Sequence, residues 1–314
     1  MVQIKTNISL KNIMLEDIKN KFKNRDRAIS VLSKNGSFRT VIVRNTNTVI
    51  TAQNNHNLSY IPAYFLARTL TAATMISVFL KGEERVIIDY SCDGALEKIY
   101  AEVMHLGECR GFVKISDNNK KEIQSLSDVL GVGLLKVSRI LYNQAEPIVG
   151  IVPIQKGDVT SDLSYYYSQS EQINSAIILD TKIDDNEKIM CSGGVMIQAM
   201  FGATDDEINN VINAVNDFGT NICAELEQNQ SLEDILKKIL PFDFDIMKNK
   251  QIDFYCRCNI ENFKNKLLLL EPKELKIMKQ EGHSELVCQF CNKHYYLTSA
   301  DFDYLINQAI ARNN

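Results

Sequence analysis

The chain has 314 residues, 45% of them apolar and 24% charged, with a formal net charge of −4. This length exceeds one small domain and supplies a sizeable core, so most of the chain can fold without metal. The acidic balance argues against nucleic-acid binding, which rests on clustered Lys and Arg. Local basic runs such as Lys19 to Arg27 are broken by Asp26 and asparagines and read as solvated faces.

Along residues 1–26 the pattern is polar, and Ile13, Leu15, Ile18 and Phe22 outline one short amphipathic helix. No secretory pattern is visible there, which points to a cytoplasmic chain whose eight cysteines are reduced and serve metal or redox chemistry. From Arg27 the pattern becomes extended. Ala28–Ser33 and Phe38–Arg44 flank Asn35-Gly36, a two-residue hairpin turn, and Thr46–Ala52 continues the run.

A helix is expected over Leu58–Leu80, closed by Gly82. Its apolar stretch from Ile61 is long enough to suggest a membrane span, but Arg68 near the middle would cost roughly 2.5–3.5 kcal/mol in a bilayer. Thr69, Thr71, Thr74 and Ser77 dilute it further, so it reads as a buried helix of a protein without membrane partners.

Arg85–Ser91 and Leu96–Val103 flank a second turn, Asp93-Gly94, and Gly111–Ile115, Leu134–Ile140 and Ile148–Pro153 continue the strands. A helix over Asp158–Ile173 precedes strands at Ala176–Thr181 and Lys188–Met200, the latter with Gly193-Gly194 where backbones must approach closely. Strands and helices in this order, without regular βαβ units, give an α+β domain of mostly antiparallel sheet with packed helices.

At residue 201 the pattern changes to helix only. Thr204-Asp-Asp-Glu207 is a capping box, followed by a stripe of Ile208, Val211, Ile212, Val215, Ile222 and Leu226. Ser231 starts a second helix, with Leu232, Ile235, Leu236, Ile239 and Leu240 ahead of Pro241. The expected organisation is a core domain at 1–200, a helical linker at 201–252 packed on that core, and a small zinc-binding domain at 253–314.

The last segment holds Cys256-Arg-Cys258 and Cys288-Gln-Phe-Cys291. Two close thiol pairs separated by a spacer of two short helices form the pattern of a four-thiolate zinc site with one ion per chain. Phe263, Leu267, Leu268 and Leu270 mark the first spacer helix, and Leu275, Ile277 and Met278 the second. Tyr295-Tyr296-Leu297 marks a short strand, and Asp301–Ala311 a terminal helix. So little apolar material is marginal without a staple, and zinc can supply roughly 10–16 kcal/mol.

The C-x-C pair is tight. Side chains at i and i+2 of an extended chain point the same way and reach one ion, whereas a disulfide between them bends the backbone. Oxidised and zinc-bound forms therefore cannot share one conformation, which is a property of a reversible switch. Spacing alone also fits a closed structural knuckle, or a constitutive protein-binding module built on one. Given four thiolates, His283 and His294 are surplus as ligands. Cys92, Cys109, Cys191 and Cys223 are scattered and read as buried free thiols. His283-Ser-Glu285 ahead of Cys288 and Cys291 does not make a deaminase site, since four thiolates leave no open position for water. Cys288 lacks the context of a thiol oxidoreductase, and no phosphate loop or nucleophile elbow occurs, so no enzymatic activity is expected.

The segment Cys256-x-Cys258, spacer with Glu274-Leu275, Cys288-x-x-Cys291-Asn292 and Tyr295 resembles the zinc segment of the heat-shock protein 33 family of redox-regulated chaperones. Asp93-Gly94, Arg110-Gly111, Gly131-Val-Gly133, Tyr167 with Ser170-Glu171-Gln172, and Gly193-Gly194-Val-Met-Ile-Gln198 extend the resemblance over Arg27 to Leu305. Phe201 stands where that family has proline, and Cys92 where glycine is usual. The resemblance implies a cytoplasmic stress-response holdase, inactive while reduced and zinc-bound. It implies disulfides Cys256–Cys258 and Cys288–Cys291 on oxidation, with zinc release and unfolding of the zinc domain and linker. It also implies a homodimer on activation and unfolded or oxidatively damaged proteins as clients.

Overall fold

The structure, a computed structural model, describes residues 25–116 and 126–313. The amphipathic helix expected over Ile13 to Phe22 lies outside them. Two compact units divide between Phe254 and Tyr255.

The first unit begins with β1 (Arg27–Ser33), β2 (Phe38–Arg44), α1 (Thr46–His56) and α2 (Tyr60–Ser77). It continues with β3 (Arg85–Cys92), β4 (Leu96–Met104), β5 (Glu108–Ile115), α3 (Leu126–Leu130), β6 (Gly133–Ile140) and β7 (Ile148–Pro153). Then come α4 (Val159–Tyr166), a π-helical turn (Tyr167–Glu171), β8 (Ser175–Ile183) and β9 (Ile189–Ala199). It ends with α5 (Asp205–Phe218), α6 (Ile222–Glu227), α7 (Leu232–Ile239), β10 (Phe244–Gln251) and β11 (Asp253–Phe254).

Two sheets result. The first has the order β10-β1-β2-β9-β8 and is antiparallel throughout; the second has the order β11-β5-β4-β3-β6-β7, parallel only between β11 and β5. This is the α+β, largely antiparallel architecture expected from the sequence. Both hairpin turns fall where the Asn35-Gly36 and Asp93-Gly94 pairs place them.

Helix α2 lies between the sheets, touching β4, β5 and β3 of one and β9, β8 and β2 of the other. A helix covered on both sides must be apolar all round, and fourteen of its eighteen residues are buried. The hydroxyls within it bond back to the helix. Thr69 donates to the Phe65 carbonyl (2.8 Å), Thr71 to Ala67 (2.8 Å), Thr74 to Leu70 (2.7 Å) and Ser77 to Thr74 (2.8 Å). Arg68 escapes to the side, pairing with Asp158 at 3.2 Å under the ring of Tyr64. The long apolar run is thus a core helix.

Residues 46–56 form a helix where the sequence reads as a continued strand. Its first turn is capped from a distance: Asp26, just before β1, accepts from Thr48 N (2.6 Å), Thr48 Oγ1 (2.8 Å) and Asn47 N (3.2 Å). The linker region is likewise not helix only. Residues 244–251 form β10, which extends the first sheet at the edge of β1. Its Lys248 and Lys250 donate to the carbonyls of Val78 (2.9 Å) and Ser77 (2.8 Å), at the negative end of α2.

Helices α5, α6 and α7 cover the face of the first sheet turned away from α2. Ile29, Val31, Phe38, Ile42, Val195 and Ile197 of the sheet pack against Val211, Ile222, Leu226, Ile235, Leu236 and Ile239. The layers are close enough to need glycine in β9. A Cβ on Gly193 would lie 2.7 Å from the Val43 carbonyl and 3.0 Å from Ile222, and one on Gly194 would meet Thr71 of α2 at 3.0 Å. The capping box at Thr204 and Glu207 starts α5 as the sequence indicates.

A two-pronged ion pair pins α7 to β1: Arg27 Nη1 and Nη2 reach Glu233 Oε1 (2.9 Å) and Oε2 (2.7 Å). Burial pushes the Glu233 carboxyl up, and the Arg27 fork pulls it further down, leaving it below its ordinary value near 4.5. The stabilisation is therefore present above that value and lost as pH falls through the depressed folded value. Glu233→Gln is expected to destabilise the chain by about 1 kcal/mol at neutral pH and to flatten the acid limb of a urea-midpoint titration. An acid limb identical to that of the native chain would contradict this role.

Candidate metal centre

The second unit comprises α8 (Ile260–Leu267), α9 (Pro272–Glu281), β12 (Glu285–Val287), β13 (His294–Tyr296) and α10 (Ser299–Asn313). The elements follow the apolar positions of the sequence closely. Its buried core is small: Leu275, Leu297, Phe302, Leu305, Ile306 and Ala309. Ion pairs from Lys264 to Asp301 (2.8 Å) and Lys279 to Asp303 (2.5 Å) bridge α10 to α8 and α9, the first half-buried and the second near the surface, where such a pair adds little.

Cys256 and Cys258 lie just ahead of α8, which begins where Asn259 in extended conformation accepts from Asn262 N at 2.8 Å. Cys288 and Cys291 sit on the turn between β12 and β13. Asn292 takes a positive φ of 54°, its N–H donates to the Cys288 carbonyl (2.8 Å), and Cys288 N donates to the Lys293 carbonyl (3.0 Å). The β12–β13 pairing closes this turn and aims both thiols at the first pair.

The four Sγ atoms lie within 4.8 Å of one another. Contacts run across the pairs, Cys256 to Cys288 at 3.6 Å and Cys258 to Cys291 at 3.4 Å. A bonded disulfide requires about 2.05 Å, so all four are free thiols. Sulfurs at the corners of a tetrahedron about 2.3 Å from a zinc ion are about 3.8 Å apart, which these spacings fit. Cys288 is buried and the other three are half-buried. Among the described residues this is the one cluster of three or more His, Cys, Asp or Glu side chains able to hold a metal ion.

The electrostatics point the same way. Burial raises the Cys256 and Cys291 thiols, and hydrogen bonds to neighbouring sulfurs contribute to holding them up. Cys258 is the exception. Burial pushes it up, but hydrogen bonds from Tyr295, Cys291 and the other thiols bring it below its ordinary value. Thiols this close cannot all ionise alone, because like charges about 4 Å apart repel by about 4 kcal/mol at an effective dielectric near 20. A dication removes that obstacle.

Tyr295 is the residue whose role at the site the spacing of the cysteines does not reveal. Its hydroxyl donates to the Cys258 carbonyl at 3.0 Å and lies 3.2 Å from Cys258 Sγ, with its ring against Phe263 at 5.3 Å. The alternation of β13 turns Tyr295 inward and leaves Tyr296 exposed. His294 faces Glu285 at 2.7 Å and His283 faces Glu281 at 3.4 Å, both exposed and outside the cluster.

A two-sheet α+β unit joined to a small unit with a four-thiolate centre is a narrow structural class. The family model described as Hsp33 protein matches residues 26–298. A 33 kDa chaperonin of Streptococcus agalactiae serotype Ia is 30% identical over 290 residues, covering 91% of this chain and 99% of the relative. One of Streptococcus thermophilus is 31% identical over 288 residues, covering 90% and 99%. The crystal structure of a 33 kDa chaperonin (heat shock protein 33 homolog) from Thermotoga maritima superposes with a TM-score of 0.82 at 27% identity, covering 92% of this chain and all of that one. The chain belongs to the Hsp33 family.

Tyr295→Phe removes a hydrogen bond to one candidate ligand and leaves the ring packing. It is expected to weaken binding of cobalt(II), a spectroscopic probe for tetrahedral thiolate sites, by about tenfold or more in chelator competition. Unchanged affinity would show that the hydroxyl does not tune the site.

Proposed function

We propose that this chain is a redox-regulated chaperone, a holdase that oxidation switches on, and that zinc held by Cys256, Cys258, Cys288 and Cys291 keeps it inactive. The observation that carries this reading is the placement of four mutually contacting thiols in a unit with six buried apolar side chains. Such a unit is too small to stay folded on packing alone.

Zinc, when bound, balances two of the four thiolate charges and ties the pairs together. In oxidation the chain's own thiolates act. One sulfur of each pair attacks a peroxide oxygen, giving a sulfenic acid as the peroxide's other oxygen leaves as water. Its pair-mate then attacks that sulfur and expels a second water. Each pair gives up two electrons, forming Cys256–Cys258 and Cys288–Cys291. Disulfide sulfurs are uncharged and poor ligands, so oxidation removes all four ligands and the ion is lost.

Without its staple the second unit unfolds, and release of α5, α6 and α7 follows. Their apolar stripe, Val211, Ile222, Leu226, Ile235 and Leu236, then becomes available to unfolded or oxidatively damaged proteins and to a second copy of the chain. Chaperones of this kind hold clients without turnover, so no catalytic residue is assigned. The Hsp33 membership and the chaperonin names of the relatives support this reading. A cytoplasmic location is part of the same proposal; among the described residues no helix is long and apolar enough to span a membrane.

Peroxide with mild heating is expected to release about one zinc per chain, to give the two disulfides on thiol trapping, and to turn on suppression of client aggregation. Zinc release with no gain in aggregation suppression would sink the proposal, and full activity in the reduced, zinc-loaded chain would favour a constitutive binding module. Cys288→Ser is expected to lose far-UV helicity from the second unit while the cooperative unfolding of the first unit persists. A Cys288→Ser chain as helical as the native one would contradict the staple.

A further inference from the structure

Two cysteines outside the metal centre, separated in sequence, are brought together under the linker. Cys191 on β9 and Cys223 on α6 are 4% and 3% exposed. Cys191 Sγ lies 4.0 Å from the Cys223 carbonyl oxygen, so the two residues meet where the strand packs on the helix. Their meeting is fixed from several sides. Gly193, two residues along β9 on the same face, lets α6 settle onto the strand, since a Cβ there would strike Ile222 at 3.0 Å and Leu226 at 3.2 Å. Asp180 Oδ2 of β8 accepts from Cys223 N at 2.7 Å, and Lys182 Nζ reaches Glu227 at 2.7 Å at the other end of α6. The Thr46 hydroxyl lies 3.8 Å from Cys191 Sγ as a donor.

We propose that Cys191 and Cys223 form a second dithiol, independent of the metal centre, which a hydroperoxide closes to a disulfide that staples linker helix α6 to β9. The alternative is that two small apolar side chains merely pack together. A disulfide needs two backbones that approach closely, and the Gly193 approach of α6 to β9, with the Cys223 amide tied to Asp180, supplies that closeness.

Access to the buried thiols comes from α6 itself. The helix is six residues long and lies between left-handed positions at Gly219 (φ 65°) and Asn229 (φ 58°). Opening α6 breaks the Asp180 cap and the exposed Lys182–Glu227 pair and lifts Ile222 and Leu226 off the sheet, so peroxide reaches the thiols by local unfolding of this helix. When α6 lifts, the Cys191 thiolate attacks one oxygen of hydrogen peroxide, the O–O bond breaks, and the second oxygen, which keeps its own hydrogen, leaves as water with the proton the thiol released. On re-docking, Cys223 attacks the sulfenic sulfur, the S–S bond forms and a second water leaves. Two electrons pass to the peroxide and none to any other group. Cys191 is the sulfur oxidised first: its thiol is held below the ordinary value despite burial, the Thr46 hydroxyl lying beside it, while Cys223 is pushed up.

The staple would oppose release of the linker, so severe oxidation would both open the metal centre and restrain α6. That consequence rests on the function proposed above; the disulfide itself does not.

The test uses the full-length, zinc-loaded chain treated with hydrogen peroxide under mild heating. The sample is quenched in acid, alkylated under denaturing conditions and digested without reduction, and released zinc is measured alongside. The expected result is a linked peptide pair joining Cys191 to Cys223, with exchange of amides 222–227 slowed roughly tenfold against the reduced chain. Cys223→Ser should give no link and leave Cys191 as a sulfenic acid captured by dimedone. Recovery of both cysteines as alkylated thiols, while the metal-centre cysteines are oxidised, would overturn the proposal. So would a link from either one to a different cysteine. A linked pair without zinc release supports the staple and counts only against the function proposed for the metal centre.

Discussion

Four thiols held within 4.8 Å of one another are the constraint on which the second unit depends. Ionised together they would repel; protonated together they would waste the geometry that the C-x-C segment and the Cys288–Cys291 turn provide. A cation held by all four would resolve the conflict while joining the segment ahead of α8 to the β12–β13 turn. Packing alone offers little here, because α8, α9 and α10 share a core of six buried side chains. Stability and ligand chemistry are therefore the same quantity in this unit.

The first unit is built on the opposite principle. Its central helix α2 is enclosed by two sheets, its hydroxyls are satisfied within the helix, and its apolar interior needs no ion. On the outer face of the first sheet the linker helices add a second, thinner apolar layer held by Arg27–Glu233, Lys182–Glu227 and the cap from Asp180 to α6. These anchors are few and lie near the surface. A layered molecule of this kind can lose its outer layer while its core persists.

Much of this was legible in the sequence because the signals were local. Asn35-Gly36 and Asp93-Gly94 mark their hairpins, Thr204 and Glu207 start α5, and the apolar spacing between the cysteine pairs delimits α8 and α9. The cysteine spacing alone marked the metal centre. What escaped has long-range causes. Residues 46–56 read as strand but are helical, because the cap that starts the helix is Asp26, on the far side of a whole hairpin. β10 read as linker because Phe244–Gln251 is a polar edge strand with nearly every side chain exposed, and only pairing with β1 makes it part of a sheet. Cys191 and Cys223 looked scattered because nothing local announces that α6 lies across β9. Tyr295 belongs to the segment that carries the family resemblance, but only the fold shows its hydroxyl against Cys258.

The central claim is that the thiolate centre alone decides whether the second unit is folded. Hydrogen exchange along the full chain, compared between the reduced zinc-loaded protein and the same protein stripped of metal by a chelator under reducing conditions, tests it directly. Amides of 260–313 should lose their protection together on metal removal, while those of α2, β2 and β9 keep theirs. Protection retained through 260–313 in the metal-free, reduced chain would contradict the claim.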